Sequence, residues 1–158
     1  MNNNQPKVKA QYILPDAELV AVNMFLLPTP YNKYAGIYKK LGFDRDPLLT
    51  FLVINTKIYN LLSAPLAKFP TRDKHYLAGR IKDIILDLGE NMIESASVES
   101  LSVPKAKEVS SGLKKLQYSL SLACSLKYIS TNFHTKIQHY IQDLLNLLSM
   151  WFRVITKS

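Results

Sequence analysis

Two groups of lysines and arginines are the side chains whose type and placement suit a ligand. Lys68, Arg72, Lys74, Arg80 and Lys82 crowd one short stretch, and Lys105, Lys107, Lys114, Lys115, Lys127, Lys136, Arg153 and Lys157 are spread over the last third of the chain. Their chemistry is phosphate neutralisation: a cation set against a polyanion releases counterions, so affinity falls steeply with salt. The pattern holds no base-reading geometry, which points to backbone or shape recognition. A solvated basic face without a ligand is the plainer alternative. These groups do not all fit one face of one domain, whereas a ring of subunits would gather them into a larger field.

Constellations for making or breaking bonds are missing. His75, His134 and His139 form no pair at i,i+4 spacing and Cys124 is the single cysteine, so neither a metal site nor a cofactor is expected. Asp83, Asp87, Glu90 and Glu94 are spaced as a polar helical face. Paired carboxylates of this kind can hold Mg²⁺, but salt bridges to Lys82 or exposure to solvent suit the spacing better. There is no Gly-rich phosphate loop. The chain is not expected to be an enzyme.

The net charge of +8 over 158 residues is unevenly placed. Residues 1–45 carry six Lys/Arg against three acids, residues 46–99 six against seven, and residues 100–158 eight against two. The last third therefore holds a field that solubility alone does not require, and nucleic acid is the commonest polyanion to answer it. At 47% apolar residues the chain has an ordinary globular composition, and its five glycines favour helices over a turn-rich β fold. No apolar run reaches the length of a bilayer span. The start, Met1-Asn2-Asn3-Asn4-Gln5-Pro6-Lys7, lacks the apolar core of a secretory signal. With one cysteine and no intramolecular disulfide, a reducing cytoplasm is the expected compartment.

These side chains must be positioned by helices. Residues 1–45 read as an N-terminal arm, with four of the eight prolines and the tyrosine-rich patch Tyr31–Lys40, whose rings suit either stacking on unpaired bases or burial against the rest. Ala17–Leu27 is short enough to be helix or strand. Residues 46–158 read as an all-α, antiparallel up-down-up-down four-helix bundle. Asp46-Pro47 makes a cap followed by proline at the first helical position. Leu48, Leu52, Tyr59, Leu62 and Leu66 mark the first helix, with Pro65 disturbing its last turn. Phe69-Pro70 stops it. Thr71 is placed to cap the second helix, with Asp73 in the first turn. Its stripe is Leu77, Ile81, Ile84, Ile85, Leu88 and Met92, up to about Ser97. The third helix begins near Pro104, carries Val109, Leu113, Leu116, Leu120 and Ala123, and ends near Ser130. The fourth follows Thr131-Asn132, two capping residues, with Phe133, Ile137, Tyr140, Ile141, Leu144, Leu148, Trp151 and Ile155 on one face.

Two faces carry more than periodicity. The fourth helix flanks its stripe with Leu145 and Phe152 on one side and Leu147 and Val154 on the other, an arc wider than the ~100° of a surface helix. One bundle core or a contact with another subunit would each use it. Its opposite face, Gln138, Gln142, Asn146 and Ser149, is neutral and polar. The third helix carries Ser110, Ser111, Ser119, Ser121, Ser125 and Ser130, small groups that permit close approach of a helix or a phosphate backbone, or that mark an undemanding exposed face.

Phe69-Pro70, the short basic stretch after it, Leu77, Arg80-Ile81 and Asn91-x-x-Glu94 together resemble a family of small four-helix-bundle proteins. It includes the ribosomal-RNA intervening-sequence proteins and the accessory variability determinant (Avd) of diversity-generating retroelements. Leu147-Leu148-Ser149-Met150-Trp151-Phe152-Arg153 is similar to the Ser-Trp-containing last helix of Avd proteins. The likeness spans roughly residues 46–155 and leaves the first 45 without a counterpart. It implies a noncatalytic partner of a reverse transcriptase: a basic pentamer of four-helix bundles that binds the polymerase and engages template RNA, or an RNA/DNA hybrid, during mutagenic cDNA synthesis. It also implies structural roles for Asn91 and Glu94, the latter bonded to a neighbouring helix end. The intervening-sequence type implies an interaction bundle without a polymerase partner, and a helical protein adaptor with incidental charge is a third possibility.

Overall fold

The computed structural model describes residues 47–95 and 103–157; the 1–45 arm, its tyrosine patch and Asp46 lie outside them. All regular elements among the described residues are helical. Helix α1 is Pro47–Ala67. Helix α2 consists of three consecutive segments, Thr71–Asp73, Lys74–Ala78 and Gly79–Ser95, the middle one π-helical. Helix α3 is Val103–Ser125 and α4 is Thr131–Lys157. Helices α1 and α3 each pack against both α2 and α4, so the four share one core. None of these helices is long and apolar enough to cross a membrane.

Helix α1 opens on Pro47, where a missing N–H costs nothing. Its sequence predicts one stripe, yet Leu48, Thr50, Phe51, Leu52, Val53, Ile54 and Asn55 are all buried. A helix apolar on every side is buried on every side, and the polar side follows only from Thr56 onward. Asn55 donates from Nδ2 to the Ile85 carbonyl on α2 at 3.0 Å, while its Oδ1 is buried without a hydrogen-bond partner among the described residues. Past Pro65 the helix closes with i→i+3 bonds, Lys68 N–H to the Pro65 carbonyl and Phe69 N–H to that of Leu66.

The start of α2 differs from expectation by one residue. Pro70, extended at ψ 147°, is the capping position and Thr71 the first helical residue. No side chain caps the end; the Pro70 carbonyl instead accepts the N–H groups of Asp73 and Lys74, each at 2.9 Å. The π-helical stretch then winds one extra residue into the turn. That shift brings Ala78 into the core at 2% exposure and leaves Leu77 half-buried, although the expected stripe began at Leu77. From Ile81 to Met92 the stripe is as the spacing predicts.

Helix α3 stops five residues before Ser130. Lys127 takes φ 63°, the Tyr128 N–H reaches back to the Ala123 carbonyl, and the Lys127 N–H to that of Cys124, each at 2.9 Å. This is a Schellman closure with lysine where glycine is usual. Ser130 belongs to the next helix: its Oγ accepts the Phe133 N–H at 3.1 Å, so Ser130, and not Thr131 or Asn132, caps α4. On α4, Ile137, Ile141, Leu144, Leu147, Leu148 and Trp151 are buried, so Leu147 belongs to the core; Leu145 and Phe152 are half-buried beside it. Among the described residues, helices α2 and α3 make the most extensive packing. A Cβ on Gly112 of α3 would come within 2.8 Å of Leu88 Cδ2, so the missing side chain sets how near the helices lie.

Candidate nucleic-acid interface

The outer faces of α2 and α3 bound a groove of about 680 Å³. Helix α3 and the first residue of the turn after it supply two rows at i,i+4 spacing, Lys114, Tyr118, Leu122 and Leu126 in one, Ser111, Lys115 and Ser119 in the other. Both lie off the stripe formed by Val109, Leu113, Leu116, Leu120 and Ala123, all fully buried. Helix α2 contributes Asp73, Tyr76, Leu77, Arg80 and Ile84. Tyr76 is 78% exposed and Tyr118 70%, while Leu122 and Leu126 are also on the surface. The π-helical stretch sets the phase in which Tyr76 reaches this face.

Of the cations the sequence singles out, the groove brings together Arg80, Lys114 and Lys115. All three are exposed and make no ion pair or hydrogen bond among the described residues. Others are differently employed. Lys105 lies 3.0 Å from Glu94 and 3.5 Å from Glu108, which together raise its pKa, the Glu94 hydrogen bond most. Glu94 is thereby tied to the start of α3. Arg72 lies 3.6 Å from Asp73, and its pKa is raised by a hydrogen bond to Tyr128 and then by the Asp73 charge. Lys68 and Lys74 are exposed beside the corner, outside the groove lining, and Lys82 is half-buried on α2. Lys107, Lys136 and Arg153 are exposed elsewhere on α3 and α4, and Lys127 sits in the turn between them. Lys157 is placed by its backbone alone, in the last turn of α4.

The acids around the groove are arranged unevenly. Asp73, the one carboxylate among its lining residues, accepts the Tyr128 hydroxyl and faces Arg72, so its charge is answered locally. The Tyr128 ring in turn packs against Phe69 at 5.0 Å and 53°, joining the α1–α2 corner to the α3–α4 turn. A smaller cleft of about 210 Å³ shares Arg80, Ile84, Ser111 and Lys115 with the groove and adds Asp87, Asn91 and Glu108. Its two acids offset the two cations it shares, whereas the wider groove holds three cations against Asp73 alone.

Tyr76 and Tyr118 are the groove residues that charge-based reasoning misses. The signal was present as a second row, Lys114, Tyr118, Leu122 and Leu126, out of phase with the core stripe. The polar face of α4 is in part already bonded: Gln138 accepts from Gln117 of α3 and pairs with His134, and Gln142 donates to Asn146. Ser121 lies 3.3 Å from His134, and Ser119 is buried at 7% exposure. Among the described residues no three His, Cys, Asp or Glu side chains gather in a metal-holding group. No family model, curated protein or solved structure matches this chain.

Proposed function

We propose that this chain is a noncatalytic nucleic-acid-binding accessory subunit of a reverse transcriptase in a diversity-generating retroelement. It acts in the cytoplasm, and it holds template RNA or an RNA/DNA hybrid during mutagenic cDNA synthesis. The observation that carries the nucleic-acid reading is the convergence of Arg80, Lys114 and Lys115, exposed and without partners among the described residues, on one groove. The polymerase partner rests on the resemblance of Phe69–Glu94 and Leu147–Arg153 to Avd proteins. In this reading the helices run up-down-up-down, consistent with the short links at 68–70 and 126–130. Copies assemble as a homopentamer, and Leu86 and Ile93, exposed two turns apart on α2, offer apolar contact for it.

Titration of RNA binding against salt is the direct test. The parent chain should bind RNA with a steep negative slope of log K against log salt. Replacing Arg80, Lys114 and Lys115 by alanine should flatten that slope by about 2 if each cation meets one phosphate of a single strand. An unchanged slope removes the groove from the interface. Co-purification with the product of the neighbouring gene, weighed for mass and bound nucleic acid, tests the polymerase and the pentamer together.

A further inference from the structure

We infer that the α2–α3 groove takes unpaired nucleotides, with bases stacked on Tyr76 and Tyr118 and phosphates set against Arg80, Lys114 and Lys115. This deepens the nucleic-acid reading above and rests on it. The two rings are the argument. Tyr59, Tyr128 and Tyr140 are half-buried against the core, whereas Tyr76 and Tyr118 stand out at 78% and 70% exposure on the two walls of one groove. Neither hydroxyl has a hydrogen-bond partner among the described residues. Exposed rings therefore flank an apolar floor of Leu77, Ile84, Leu122 and Leu126, with cations interleaved.

A duplex offers such a site only its phosphates, because its bases are stacked on each other. A single strand offers a phosphate and a free π-face at each nucleotide, and base–aromatic stacking requires no sequence. Lys114 and Tyr118 follow each other by one helical turn on α3, so a cation and a ring alternate along the wall. The adjoining cleft adds Asp87 and Glu108 to the shared Arg80 and Lys115, so the excess of positive charge lies in the wider groove.

The experiment measures binding of the full chain, at low salt, to three labelled probes: oligouridylate, an abasic strand of the same phosphate number, and an RNA duplex. Oligouridylate should bind at least about thirtyfold tighter than the abasic strand, with one base stacked on each ring. Joint Tyr76→Ala and Tyr118→Ala replacement should remove that preference while leaving abasic binding as it was, and phenylalanine at both positions should keep it. Equal affinity for oligouridylate and the abasic strand overturns stacking while leaving nucleic-acid binding standing. So does an alanine pair that binds oligouridylate like the parent. Binding to none of the probes overturns both readings.

Discussion

The indole Nε1–H of Trp151 donates to Ser95 Oγ across 2.9 Å, with both residues fully buried, and this bond joins the last residue of α2 to α4. A buried indole brings a large apolar body and one donor that must find an acceptor. Serine is a modest interior helix former, so its presence at the end of α2 is explained by that donor.

Ser95→Ala should therefore cost about 1–2 kcal/mol in denaturant unfolding, since it strips a buried donor of its acceptor. Trp151→Phe should cost about as much or more, through the lost volume. The double variant should lose less than the sum of the two single ones, because the second change removes an interaction already broken. Strict additivity would show that the bond contributes nothing.

The Tyr128–Asp73 bond should be visible in the pH dependence of stability. The hydrogen bond to Asp73, and after it burial, raise the Tyr128 phenol above its ordinary value. The fold thus favours the neutral phenol, and this stabilisation is complete below the unfolded pKa of about 10 and lost as pH rises through the higher folded value. Thermal melts should show the parent more stable than Tyr128→Phe at neutral pH, with the gap closing in the alkaline range. A constant gap across that range would refute the assignment.

Two helical glycines should respond in opposite directions. A Cβ at Gly79 meets nothing within 4 Å, so Gly79→Ala should stabilise by up to about 1 kcal/mol from helix propensity alone. At Gly112 the added carbon meets the Cδ2 of Leu88, itself 1% exposed, so Gly112→Val should destabilise by about 1–3 kcal/mol. Denaturant midpoints of the two variants decide it.

Lys127 holds a left-handed backbone without being glycine. Lys127→Gly should stabilise by roughly 0.5–1 kcal/mol, the relief at φ 63° outweighing the added freedom of the unfolded chain. Its side chain is outside the groove lining, so RNA affinity should change little. A loss of stability would mean that the side chain has a packing role in the turn.

Helix existence was legible wherever apolar spacing ran long. Ile81 to Met92 and Ile137 to Trp151 are buried as their period predicts. Boundaries were less so, because Thr71, Thr131 and Asn132 are all competent caps and the backbone chose Pro70 and Ser130 instead. The π-helical shift at Lys74–Ala78 leaves no trace in a period counted at 100° per residue, which is why Leu77 and Ala78 exchange roles. The burial of seven of the eight residues from Leu48 to Asn55, all but the half-buried Leu49, was hidden for a related reason: a run without a polar side has no period to read. Charge located Arg80, Lys114 and Lys115 but could not rank them above Lys105 and Arg72, since only geometry shows which cations are already paired.

The π-helical stretch carries a further consequence. Its i→i+5 winding takes up one residue that an ordinary turn would not, so the segment before it and the segment after it keep independent angular settings. Deleting one residue between Lys74 and Ala78 should let the helix run through as plain α, with Ile81 to Met92 still seated. The residues on the near side would keep their angular setting, because the extra residue and the wider winding leave together. The stretch can thus lose one residue without disturbing either the corner before it or the seam that holds the helices together.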